Sequence, residues 1–91
     1  MFKYFKRQLK IGIIGCGAIG TILAKKINND IDGAIVVALS DLDKSRANTL
    51  AEQLSGKKGK VKAVDIDKLV VMSDLVIEAA SKGIVKEVVT K

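Results

Sequence analysis

One stretch near the start of the chain, Lys10-Ile-Gly-Ile-Ile-Gly-Cys-Gly-Ala-Ile-Gly20, narrows the fold more than any other. Ile11, Ile13 and Ile14 are β-branched and uncharged, the composition of a strand buried on both faces. The glycines then fall as Gly15-x-Gly17-x-x-Gly20. Beyond them Ile19, Ile22, Leu23 and Ile27 recur at helical spacing. Buried strand, glycine turn and amphipathic helix in that order are the context in which this motif signals dinucleotide binding. Gly15 permits the tight turn, Gly17 lets a pyrophosphate approach the backbone, and Gly20 lets the helix pack close to the strand. The first N–H groups of the helix have no partner within it, and its dipole favours an anion there. The alternative is a close-packed strand–helix corner without a ligand.

The chain has 91 residues, enough for one small domain. Hydrophobic residues make up 48% and there is no proline, which argues against disorder. No apolar run approaches the roughly 18–20 residues of a membrane span. The opening Met1-Phe-Lys-Tyr-Phe-Lys-Arg-Gln-Leu-Lys10 lacks the apolar core and small-residue cleavage site of a signal peptide. Cys16 is the only cysteine, so no internal disulfide forms, which fits a cytoplasmic protein. The net charge of +6 comes from two clusters, Lys3 to Lys10 and Lys57 to Lys62; the rest of the chain is slightly acidic. Such clusters are read as solvated surface. Phe2, Tyr4 and Phe5 are the only aromatics. Nothing beyond them resembles a stacking platform, so neither nucleic acid nor membrane is an expected partner.

The first helix is predicted over about Ala18–Asn29, with Lys25, Lys26, Asn28 and Asn29 facing water, and Asp30 to Gly33 as its stop. Ala34 to Leu39 reads as a second buried strand ending at Ser40-Asp41. Asp41 lies at the strand end where a carboxylate accepts hydrogen bonds from the adenosine ribose hydroxyls. It favours NAD, because it repels the 2′-phosphate of NADP. Lys44 and Arg46 follow closely and would meet that phosphate if the loop swung, so NADP stays open. Asp41 could instead cap the next helix, but Asp43 suits that role better. That helix is predicted over Lys44–Leu54, with Ala47, Leu50, Ala51 and Leu54 inward. A lysine- and glycine-rich loop leads to a short edge strand at Val61–Val64, where lysine discourages unwanted pairing. Asp65 caps a short helix, Ile66–Met72, that buries Leu69, Val70 and Met72. Leu75–Ile77 is the fourth strand, and a last helix from Ser81 or Lys82 turns Ile84, Val85, Val88 and Val89 inward.

Alternating strands and helices imply an α/β fold, a partial Rossmann-type parallel sheet of about four strands in the order 3-2-1-4 with helices on both faces. Glu78 to Ser81 would then follow strand four beside strand one, at the topological switch point where ligands bind. Ala79 and Ala80 are small enough for close approach of a cofactor. Ordinary tight packing explains them equally well.

Lys10 to Gly20, Ala38-Leu-Ser-Asp-Leu-Asp43 and Asp74-Leu-Val-Ile-Glu-Ala-Ala-Ser81 together resemble the amino-terminal domain of the L-aspartate dehydrogenase family, which is related to the NAD-binding domain of homoserine dehydrogenase. The resemblance spans about residues 9–91. It implies an oxidoreductase that oxidises L-aspartate to iminoaspartate with hydride transfer to NAD(P), feeding NAD biosynthesis. It implies a pyrophosphate site at Gly15, Gly17, Ala18, Ile19 and Gly20, a ribose ligand at Asp41, and Ala79, Ala80 and Ser81 near the nicotinamide half. Residues 1–9 are read as a basic, aromatic lead-in and 10–91 as the amino-terminal portion of the dinucleotide-binding domain. In that family a second domain supplies the substrate pocket and a catalytic histidine. This chain contains no histidine, so no catalytic residue and no metal ligand is assigned in it. The amino-acid substrate is expected to require a further, carboxyl-terminal domain, and the chain is expected to be a fragment or half of a split protein. An open edge at strand four predicts marginal stability or self-association into a homo-oligomer. Two other readings stay open: a non-catalytic nucleotide-sensing module of a channel or transporter, and another oxidoreductase such as homoserine dehydrogenase.

Overall fold

A computed structural model of the protein describes residues 8–56 and 58–79, together with the backbone of 87–90. In chain order the elements are β1 (Leu9–Ile14), α1 (Ala18–Asp30), β2 (Ala34–Ser40), α2 (Lys44–Leu54), β3 (Lys62–Ala63), α3 (Ile66–Met72), β4 (Leu75–Glu78) and β5 (Glu87–Thr90). The sheet runs β3-β2-β1-β4-β5. Its first four strands are parallel, in the order expected from the sequence.

The end of the chain departs from expectation. Val88 and Val89 lie on β5, antiparallel to β4, where a helix was predicted. A short apolar run with paired valines satisfies either period, and β-branched residues favour the strand. Pairing also covers the edge of β4 that four strands alone would leave open. Ile84 and Val85 lie outside the described residues.

The helices cover both faces. Ile13, Val36 and Leu39 on β1 and β2 form one core with Ala24 and Ile27 of α1 and Ala47, Leu50 and Leu54 of α2. Leu69 of α3 packs with Ala38 and Val76 on the other side. α3 lies close because Gly12 has no side chain: a Cβ there would overlap the Ser73 hydroxyl and the fully buried Leu69. All four inward residues expected of α2 are buried. α1 is rotated slightly from expectation. Ile22 is 63% exposed, while Asn28, expected in water, is 1% exposed. Its Nδ2 donates to the Leu54 carbonyl at the end of α2 (3.2 Å), so a polar side chain ties two helix ends together. Val70 of α3, expected inward, is 37% exposed.

The lysine-rich loop is more than a solvated connection. The Lys58 ammonium donates to the carbonyls of Ile27 (3.3 Å), Ile31 (2.6 Å) and Ala34 (2.9 Å). It therefore closes the carboxyl end of α1, where unpaired carbonyls and the negative end of the dipole favour a cation. Lys58→Met keeps the stem and deletes the three bonds. It is expected to cost about 1–2 kcal/mol, toward the low end of the roughly 1.5–3 kcal/mol for a hydrogen bond to a charged group because the site is partly exposed. Urea unfolding measures this, with Lys60→Met, on the same loop, as the neutral control.

Candidate functional site

Parallel strands bring their carboxyl ends to one side of the sheet. Ile14 of β1 pairs in register with Ser40 of β2 and with Glu78 of β4. The three loops that leave those ends therefore meet. Gly15 turns the chain with φ of 102°, a left-handed conformation that favours glycine. Its N–H donates to the Ser40 carbonyl (2.7 Å), and the Ala79 N–H donates to the Ile14 carbonyl (2.8 Å). The turn is thus stitched to both neighbouring strands.

Gly17 is the N-cap of α1. Among the described residues no side chain caps this helix end, and no acidic residue lies in its first turn. The N–H groups of the first turn are the donors a helix cannot use itself. Among the described residues, chain neighbours aside, a Cβ on Gly17 would meet only the Arg46 guanidinium, at 3.6 Å. Gly20 does a different job. A Cβ there would overlap the Gly15 carbonyl oxygen, so Gly20 lets α1 sit directly against the turn.

Asp41 is held on two sides. Oδ2 accepts from the Cys16 N–H (2.6 Å) and Oδ1 from the Asp43 N–H (2.9 Å). Its side chain is 12% exposed, and Arg46 Nη1 stands 4.0 Å from Oδ2. Capping of α2 falls to Asp43, whose Oδ1 accepts from the N–H groups of Ser45 (3.0 Å) and Arg46 (3.4 Å). The Ser45 hydroxyl, then the Arg46 N–H, hold the Asp43 carboxyl below its usual range. Asp43, rather than Asp41, therefore caps α2, as the sequence suggested.

Gly15, Gly17, Ala18, Ile19, Asp41 and Ala79 line one cleft of about 890 Å³. That is within the range of about 300–1,000 Å³ for clefts that hold small molecules. Gly20 lies behind it, and Ala80 and Ser81 fall outside the described residues. The far wall was not anticipated. Val64, Asp65 and Ile66, at the β3–α3 junction, face the cleft with Leu42. Leu42 is fully exposed and Ile66 is 49% exposed, so the cleft carries apolar surface open to a ligand. Their signal in the sequence was position alone, just beyond the ends of β2 and β3. Among the described residues no cluster of His, Cys, Asp or Glu could hold a metal ion, and no helix is long and apolar enough to cross a membrane.

Residues 15–91 match the family described as the NAD-binding domain of homoserine dehydrogenase. The chain is 42% identical over 86 residues to L-aspartate dehydrogenase of Methanocaldococcus jannaschii, a match covering 92% of this chain and 31% of that protein. It is 51% identical over 45 residues to inositol 2-dehydrogenase of Acidothermus cellulolyticus, covering 50% of this chain and 13% of that protein. Among solved structures it superposes on myo-inositol dehydrogenase of Lactobacillus casei, crystallised with NAD(H) and myo-inositol, with a TM-score of 0.70 and 26% identity over 84% of this chain and 22% of that one. The chain thus spans less than a third of the length of each.

Cys16 sits in the turn yet is built to be inert. It is 4% exposed, and burial, then the Asp41 charge, push its thiol up to about 11. The thiol form is favoured in the folded protein, so this contribution to stability is present below the ordinary value of 9.0 and is lost as pH rises toward 11. Iodoacetamide is expected to label Cys16 negligibly in the folded protein at pH 8 and readily in 6 M guanidinium at the same pH. Comparable rates in both states would contradict the buried placement.

Proposed function

Because this chain belongs to the family of homoserine dehydrogenase NAD-binding domains, we propose that it is the NAD(P)-binding portion of a dehydrogenase of the L-aspartate dehydrogenase type. The proposed reaction is oxidation of L-aspartate to iminoaspartate. The observation that carries this reading is the 42% identity to an L-aspartate dehydrogenase across nearly the whole of this chain. The convergence of Gly15, Gly17, Ala18, Ile19, Asp41 and Ala79 on one cleft supports it. The proposed domain runs over residues 10–91, with 1–9 as lead-in.

In this reading the first-turn N–H groups of α1 hold the pyrophosphate, with Gly17 allowing close approach. Gly15 and Gly20 shape the turn, and Asp41 accepts from the adenosine ribose hydroxyls. Ala79, followed in sequence by Ala80 and Ser81, borders the nicotinamide half. The bound nicotinamide supplies the hydride acceptor. The residues of this chain bind and orient the cofactor, and none of them is assigned an acid–base role on the substrate.

A second substrate class, a cyclic polyol, is favoured by the 51% identity to inositol 2-dehydrogenase over 45 residues. Reduction of NAD+ by L-aspartate, set against myo-inositol and homoserine, in the protein that carries this chain decides between them. Calorimetry tests the cofactor. NAD+ is expected to bind in preference to ATP, and the reverse order would favour a nucleotide sensor.

Gly17→Val is expected to abolish NAD+ binding while the protein stays folded, since the added Cβ meets the exposed Arg46 side chain at an ordinary contact distance and fills the space where the pyrophosphate would lie. Retention of affinity within a few-fold would remove the glycine turn from the site. Asp41→Ala is expected to weaken NAD+ by about tenfold, in line with loss of hydrogen bonds to a charged group. NADP+ should lose less, because removing the carboxylate also relieves repulsion of its 2′-phosphate. Equal losses would take Asp41 out of the ribose role.

A further inference from the structure

We infer that Arg46 supplies the cation for the pyrophosphate of a dinucleotide seated on the glycine turn, an assignment that rests on the dinucleotide reading above. The need for such a cation follows from Asp41. Its Oδ2 lies 2.6 Å from the Cys16 nitrogen, which places a carboxylate within the turn proposed to receive an anion. The dipole of α1 offers only about half a positive charge there. A pyrophosphate diester carries two negative charges, so the turn by itself is poorly balanced.

Arg46 is placed to correct this. It lies in the first turn of α2, and its guanidinium reaches back past the end of β2. Nη1 is 4.0 Å from Asp41 Oδ2, and Nε is 3.9 Å from Asp43 Oδ2. Apart from Gly17 and its chain neighbours, Nη1 is also the only heavy atom among the described residues within 4 Å of the position a Gly17 Cβ would occupy. The guanidinium therefore stands between the proposed ribose ligand and the open face of the turn. Both ion pairs are at the limit of contact and the side chain is 58% exposed, so they hold the group loosely. Exchanging them for a bidentate pair with phosphate oxygens is favourable, because the planar fork matches that geometry. Lys44 lines the same cleft but is a point charge without the fork.

The test compares ligands with and without the pyrophosphate on the wild-type protein, Arg46→Gln and Arg46→Lys. Calorimetry at low and high salt reads NAD+, NADP+ and ADP-ribose; NMR titration reads adenosine. Arg46→Gln is expected to weaken NAD+, NADP+ and ADP-ribose alike, by about tenfold, the scale of one charge-assisted hydrogen bond. It should reduce the salt dependence of all three and leave adenosine within twofold. Arg46→Lys should recover part of the loss. Three results overturn the inference: unchanged NAD+ affinity, a loss confined to NADP+, which would assign the guanidinium to the 2′-phosphate, or an equal loss for adenosine, which would assign it to the base. Failure of the wild-type protein to bind any phosphorylated ligand would overturn the dinucleotide reading itself, and this inference with it.

Discussion

The hydrogen bond from the Cys16 N–H to the Asp41 carboxylate joins two features of the sequence that are 25 residues apart. One is the glycine turn, which needs a fixed backbone to aim its N–H groups. The other is the acid at the end of β2, which needs a fixed side chain. A single contact secures both. The backbone bond from Gly15 to Ser40, one residue earlier in each segment, gives the junction a second point of attachment. The α1 end is then held by Gly20 against the Gly15 carbonyl. Strand, turn, helix and neighbouring strand are thus tied together at one junction.

That junction also sets the local charge. It brings a carboxylate close to the positive end of α1, a favourable pairing in the unliganded protein. It also raises the Cys16 thiol, since burial and the nearby Asp41 both disfavour a thiolate. A negative charge used to shape the turn must be balanced when an anion arrives. The sequence places Arg46 one helical turn past Asp43 and within reach of both acids. Structural anchoring by Asp41 and the charge compensation proposed for Arg46 would therefore be linked.

Most of this was legible because it rests on local rules. The glycine spacing, the two apolar strands, the Asp43 cap and the inward face of α2 each follow from a short window. So does the order of the first four strands, because crossover connections permit few alternatives. What escaped were contacts across distance. Lys58 reads as a soluble loop residue until α1 is seen to end beside it. Asn28 reads as surface until the end of α2 supplies a carbonyl. Val88 and Val89 fit a helical stripe equally well. What decides for β5 is pairing with the edge of β4 that the strand order leaves open; the edge was legible, but an apolar stripe does not show which segment fills it.

The bond count at Asp41 leaves room for the proposed ribose role beside the anchoring one. An ionised carboxylate offers about four acceptor positions. The Cys16 and Asp43 N–H groups occupy one on each oxygen. About two remain, and the side chain borders the cleft. Because both occupied positions are filled by backbone donors of the protein itself, the orientation of the carboxylate does not wait for a ligand. A vicinal diol meeting it would find two acceptors already set at a fixed angle, and the entropy of ordering them would have been lost on folding. Asparagine could not substitute without cost, since its amide would face at least one backbone N–H with a donor instead of an acceptor. The turn by itself therefore calls for an acid at this position, and the proposed ribose role would use the same geometry.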